Sequence, residues 1–177
     1  FSCFWTSVAF ELIQRHNLGQ VGIGIFALVG AAGASAAPLA GRLGDRGHGH
    51  VGSGVALALA VAAMVLAGLG AGNLILLALA GVVLDLAVQS HQVFGQREIY
   101  ELRPDARARV NTIYMTAIFL GGAVATAISG TIYDSAGWVG VTMLGAGLAF
   151  AALGIWAAAA LRRPNAVAAR AAHLPAE

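Results

Sequence analysis

The chain has no lysine and a single cysteine, and only 10% of its 177 residues are charged. One cysteine, Cys3, excludes an internal disulfide and reads as a small apolar residue. A soluble domain carries about a quarter charged residues, so most side chains here must face lipid or one another. A secretory leader is not evident, because no basic segment precedes the first apolar run. Catalytic groupings are missing too. No nucleophile, base and orienting group come together, and Ser90 and His91, adjacent on a helix, point about 100° apart. His48 and His50 lack the further ligands that a metal site needs. No enzyme activity, metal or cofactor is expected.

What the chain does contain is apolar and small. Hydrophobic residues make up 59% of it, with 24 glycines, and its mean hydropathy is +0.80. Helices that pack in lipid use small residues so that backbones can approach closely. The formal net charge of +2 suits an anionic membrane leaflet and gives no reason to invoke nucleic acid.

All ten basic residues are arginines, and nine fall in alternate connections between apolar stretches. Arg42 and Arg46 share one connection, Arg97, Arg103, Arg107 and Arg109 another, and Arg162, Arg163 and Arg170 the tail. Intervening connections hold Arg15 or nothing basic. Short loops with this alternation follow the positive-inside rule, placing the arginine-rich loops and the C-terminus in the cytoplasm of an inner-membrane protein. Apolar spans are expected near 21–41, 51–69, 74–94, 110–133 and 138–161. Residues 1–10 are too short to span and read as the remnant of a truncated first helix, making six transmembrane helices over 1–161. The polar tail, 162–177, is expected to be disordered. Turn formers at 68–73 and at 134–137 mark breaks, and Pro104 should end any helix running into it. Glu11 reads as an exposed interfacial carboxylate. Gly33, Ala37 and Gly41, at four-residue spacing, read as a close-packing face.

Asp85 stands about midway along the fourth span, where an ionised carboxylate carries a penalty of about 2.5–3.5 kcal/mol. Gln89, Gln92 and Gln96 follow it at helical spacing, all within about 40° of one line. The pattern predicts a water-lined path, with Asp85 as substrate contact or proton carrier; the structural alternative is a protonated or paired Asp85 tying two helices together. No arginine at comparable depth offers itself as partner. Asn111 and Tyr114 on the next span are candidates for an opposing wall.

Gly47-His-Gly-His-Val-Gly52 matches the dinucleotide fingerprint in letters only, since it joins two membrane helices rather than a strand and a helix. Gly41-Arg-Leu-Gly-Asp-Arg46 reads G-x-L-x-D-R and resembles the cytoplasmic loop signature of the major facilitator superfamily. Gly41, Leu43, Asp45 and Arg46 match; His48 stands where a later glycine is expected, and the closing basic pair is absent. The bland alternative is a polar turn in which Asp45 caps the next helix. A longer stretch, from Asp85-Leu-Ala-Val-Gln89 through Gln96-Arg-Glu-Ile-Tyr100 and Arg109-Val-Asn-Thr-Ile-Tyr-Met115 to Phe119-Leu-Gly-Gly122, is similar to efflux-permease-like bacterial members.

The resemblance implies an all-α integral membrane fold: the C-terminal half of the transporter, six helices as two three-helix inverted repeats. It implies proton-coupled efflux of small organic molecules by alternating access, with a missing N-terminal six-helix half as partner. Asp45 and Arg46 would form a cytoplasmic gating latch, with Arg97, Arg107 and Arg109 in the neighbouring loop. Alternatives are a homodimeric carrier and a non-transporting scaffold.

Overall fold

A computed structural model describes the backbone of residues 1–171 and the side chains of residues 1–162, except those of Ala34 and Ala36. Of the expected tail, 162–177, residues 172–177 lie outside the described residues and the side chains are described only for residue 162. Among the described residues every regular element is helical: α1 (Ser2–His16), α2 (Gln20–Ala34), α3 (Ala36–Asp45), α4 (Gly49–Leu69), α5 (Leu74–Leu102), a 3-10 turn (Pro104–Ala106) and α6 (Arg107–Ala171).

Local chemistry sets the boundaries. Asn17 closes α1 in the left-handed region at φ 52°. Its N–H donates to Ile13 O and the Leu18 N–H to Leu12 O, both at 3.1 Å, which satisfies carbonyls that the helix end would otherwise orphan. Asn73 caps α5, its Oδ1 accepting from the N–H groups of Ile75 and Leu76 at 3.0 and 3.3 Å. α5 stops at Leu102, two residues short of Pro104, as the missing donor and the ring of proline require.

α2 and α3 abut across Ser35 and form one apolar stretch, Gln20–Asp45. α5 is the shared element: it packs against α2, α3, α4 and α6, while α4 also packs on α6 and α1 on α6. Phe4, Leu12, Met64, Leu77, Leu84 and Val141 are fully buried between them. Leu28, Ile75, Phe119 and Phe150 face outward. That is the inverse of a soluble protein's surface and is what a lipid solvent permits.

The expectation of six spans arranged as two three-helix inverted repeats is corrected by this structure. Among the described residues, four helices are long and apolar enough to cross a bilayer: Gln20–Asp45, Gly49–Leu69, Leu74–Leu102 and Pro104–Arg162. α1 has 15 residues, short of the roughly 20 that a span needs. The two spans expected at 110–133 and 138–161 belong to one element. The turn signal at 134–137 yields only a single non-helical residue, Gly137, at φ 63° and ψ −161°. Asp134, Ser135 and Ala136 stay helical, and the Ser135 hydroxyl bonds back to Thr131 O at 2.9 Å, as serines in apolar helices do.

The break at Gly137 divides α6 into two limbs with different neighbours. Before it, Thr126 meets Thr6 of α1, oxygen to oxygen at 3.3 Å. After it, Trp138 donates to Ala67 O of α4 at 2.9 Å, and Trp156 to His50 O at 3.1 Å with its ring stacked on the imidazole.

Candidate functional site

The stripe on α5 does not act as one surface. Asp85 is 7% exposed and accepts a hydrogen bond from Trp5 Nε1 at 3.1 Å. Gly30 and Gly33 of α2 lie directly against it, and a Cβ on either would collide with Asp85. Trp5 is itself held by ring contacts with Phe4 and Phe26. Three helices therefore converge on this carboxylate, and its partner is an indole rather than a cation.

One helical turn further on, the surroundings open. Gln89 and Gln92 line a cleft of about 570 Å³ between the start of α1, α5 and the first limb of α6. Ser2, Met115, Phe119 and Gly122 lie on its walls. Gln92 Nε2 meets Met115 Sδ at 3.9 Å, a weak contact that leaves the amide available to a ligand. Two carboxamides in an otherwise apolar cleft offer donors and acceptors without charge, and a small molecule with both polar and apolar parts suits such a surface.

Towards the arginine-rich end the cleft is closed by pairing. Gln96 Nε2 donates to Asn111 Oδ1 at 3.4 Å. Tyr114 donates to Gln92 O at 3.5 Å, its ring end lying where a Cβ on Gly95 would be. Asn111 and Tyr114 thus face α5, one turn below the cleft. His91, off the stripe, bonds Ser53 of α4 through Nδ1 at 2.7 Å.

The G-x-L-x-D-R segment forms the end of α3. Arg97 on α5 binds Asp45 through Nη1 and Glu101 through Nε at 2.8 Å. Gly44 lies close beneath the Arg97 side chain. Gly41, Asp45, Gln96, Arg97, Glu101 and Arg107 line one hollow of about 380 Å³. Leu43 turns instead to an apolar groove shared with Leu39 and Phe94, and Arg46 and Arg109 are exposed outside the cluster. Asp45 does not cap α4, which has no side-chain cap. Among the described residues no three His, Cys, Asp or Glu side chains gather to hold a metal ion.

Two residues escaped sequence reasoning. Trp5 gives no positional signal without its partner. Glu11 is not an exposed interfacial carboxylate: it is 5% exposed, accepts from Tyr133 OH at 3.1 Å and faces Arg15 Nε at 3.1 Å. The usable clue was the i, i+4 spacing of Glu11 and Arg15.

A bundle of long apolar helices whose large apolar side chains face outward is the architecture of a multi-pass membrane protein. The family model described as Major Facilitator Superfamily matches residues 1–176, and the chain belongs to that family. It is 38% identical over 157 residues to the Escherichia coli O157:H7 protein named "Uncharacterized transporter YgaY", covering 88% of this chain and 40% of the relative. It is 35% identical over 164 residues to "Probable transporter SCO4007" of Streptomyces coelicolor, covering 92% of this chain and 37% of the relative. The chain thus spans about two fifths of the length of these curated relatives. Both are named as transporters, not enzymes. No solved structure matches.

Proposed function

We propose that this chain is the C-terminal half of a secondary active transporter that exports small organic molecules in exchange for protons. The observation that carries the reading is the cleft holding Gln89 and Gln92, two neutral polar side chains at membrane depth on a wall that carries no charged side chain. Superfamily transporters hold substrate near the midplane between two halves that rock about it. The cleft would be one wall, with the other wall supplied by the remainder of the protein. Asp85 lies one turn from the cleft and would carry the proton, its Trp5 contact being made or broken as the halves move. Asp45 and Arg97, with Arg46 and Arg107 nearby, would form the latch on the cytoplasmic face. That orientation follows from the arginine distribution.

The test is reconstitution of the full-length protein in liposomes with an imposed pH gradient, scanned with small organic cations, anions and neutral amphiphiles. A substrate whose movement collapses with the gradient, and slows in Gln92→Leu without loss of protein from the membrane, supports the reading. Movement that ignores the pH gradient, or is unchanged in both Gln92→Leu and Asp85→Asn, overturns it.

A further inference from the structure

The apolar groove that Leu39 and Leu43 share with Phe94 lies between α3, α4 and α5 and has a volume of about 260 Å³. Nothing in the transport reading uses it. Ser90 is the one polar side chain on its walls. The groove exists because its floor is built of small residues: Ala40, Ala56 and Ala87 are buried there. Leu39, Leu43, Val55 and Leu59 stay exposed around them. From Gly52 to Leu59 on α4 its length is about 10 Å.

Two observations bear on what covers it, and the first is direction. On α5, Gln89 and Gln92 turn to the glutamine cleft, while Leu86, Ala87, Ser90 and Phe94 turn to the groove. At 100° per residue the two sets are centred about 145° apart. In the transport reading the cleft faces the remainder of the protein, so on that reading the groove faces the bilayer. Its volume excludes a helix, which with side chains is about 10–12 Å across, and admits a hydrocarbon chain.

The second observation is charge. Leu39, Arg42, Leu43 and Arg46 follow one another at helical spacing, with Arg46 within about 20° of Leu39 and about 40° of Arg42. The two leucines line the groove, and each arginine stands about one turn beyond a leucine, towards the arginine-rich end. Arg42 and Arg46 are exposed, and neither side chain makes an ion pair or hydrogen bond among the described residues. Asp45 and Glu101, the acids at this end of α3 and α5, are engaged by Arg97, so they leave these two arginines uncompensated.

A hydrocarbon-sized groove that ends beside two uncompensated guanidinium groups matches a phosphate carried on a tail, since arginine pairs with phosphate oxygens two at a time. We propose that this groove holds an acyl chain of an anionic phospholipid, whose phosphate is bound by Arg42 and Arg46. Basic pockets between helices on the cytoplasmic side are where such headgroups are recognised. A zwitterionic lipid would fill the groove but bring a cationic amine towards the arginines. A soluble phosphate ester would meet the arginines and leave the groove empty.

The experiment is titration of the delipidated full-length protein in detergent, followed by native mass spectrometry, with phosphatidylglycerol, phosphatidylcholine of the same chains, and glycerol phosphate. The first phosphatidylglycerol is expected to bind at least about tenfold more tightly than phosphatidylcholine, with two arginines beside its headgroup. Excess glycerol phosphate should not displace it. Arg42→Gln with Arg46→Gln should bring phosphatidylglycerol down to the level of phosphatidylcholine, and Ala56→Leu, which fills the floor, should weaken both lipids. Arg109→Gln should leave the preference in place. Equal binding of the two lipids by the unaltered protein overturns the proposal and means that the groove is covered by protein or by lipid of any kind. Displacement by glycerol phosphate, or a preference that survives the double arginine variant, also overturns it. The lipid panel needs no variant, so misfolding of Ala56→Leu leaves the test intact. Lipid preference is read without transport: its loss with proton-driven export intact overturns this site alone, and its presence with export refuted overturns the transport reading alone.

Discussion

Trp5 and Asp85 stand 80 residues apart and meet through one hydrogen bond, indole nitrogen to carboxylate oxygen at 3.1 Å. The contact fastens α1 to the middle of α5 at the point where α2 presses two glycines against the same carboxylate. It answers how a buried acid is tolerated without a cation: the indole N–H fills one oxygen, and the aromatic cluster of Trp5, Phe4 and Phe26 holds the donor still.

Trp5→Phe keeps most of the ring volume and removes the donor. The expected loss is about 1.5–3 kcal/mol, the range for a hydrogen bond to a charged group, read as a fall in the thermal midpoint of the purified protein. Asp85→Asn retains an acceptor for Trp5 and should stabilise or cost little, leaving membrane insertion intact; under the proposed role of Asp85 as proton carrier, transport by the full-length protein should fall. A Trp5→Phe midpoint equal to that of the unaltered protein would show that the bond carries no weight.

Gly33→Ala should disrupt the contact of α2 with α5. The added methyl would collide with Asp85 Cβ and press on the α5 backbone at Leu86 N. Neither is the free end of a flexible side chain, so the helices must separate, at an overpacking cost of about 1–3 kcal/mol. Gly41→Ala is the control. It belongs to the same four-residue pattern, yet nothing lies within 4 Å of its Cβ position, and its stability should shift by no more than about 0.5 kcal/mol. Equal midpoints for the two variants would refute the contact.

Asp45 and Arg97 pair at the surface, with side chains 77% and 38% exposed. Such pairs contribute at most about 1 kcal/mol to stability, so Asp45→Ala should unfold within about 1 kcal/mol of the unaltered protein. If the pair biases one open state of the transporter, its effect belongs in the transport rate. A shift of about 1.4 kcal/mol between two states changes their ratio tenfold. Proteoliposome uptake that falls severalfold in Asp45→Ala and Arg97→Ala, but no further in the double variant, is the expected result. Additive losses would show that the two act separately.

The helical stretches were legible because lipid imposes a one-dimensional code: long apolar runs, punctuated by arginine and by Gly-Asn or Pro. Gln89 and Gln92 were legible for a related reason, since polar side chains at membrane depth need a polar or wet surface. Asp85 was harder. Spacing places it in line with the glutamines, but its direction is decided by Trp5, Gly30 and Gly33, residues whose tertiary neighbours no periodicity reveals. Glu11 failed in the same way: its burial comes from Tyr133, 122 positions away. The expected loop at 134–137 failed because Asp and Ser are turn formers only where water competes for the backbone. Here Ser135 satisfies itself on its own helix, and the whole break is left to one glycine.

That glycine supports the sharpest stability prediction. Gly137 sits at φ 63° and ψ −161°, a region that is essentially confined to glycine and costs other residues about 1–3 kcal/mol. There is open space for a methyl group, so the penalty in Gly137→Ala comes from the backbone alone and not from a clash. Its consequence is directional. To escape the strain, residue 137 would move toward helical geometry and straighten α6. Trp138 would then be drawn from Ala67 O, its hydrogen-bond partner on α4. Gly137→Ala should therefore lower the thermal midpoint of the purified protein. Gly137→Ala with an unchanged midpoint would mean that the break is not a fixed feature of the fold.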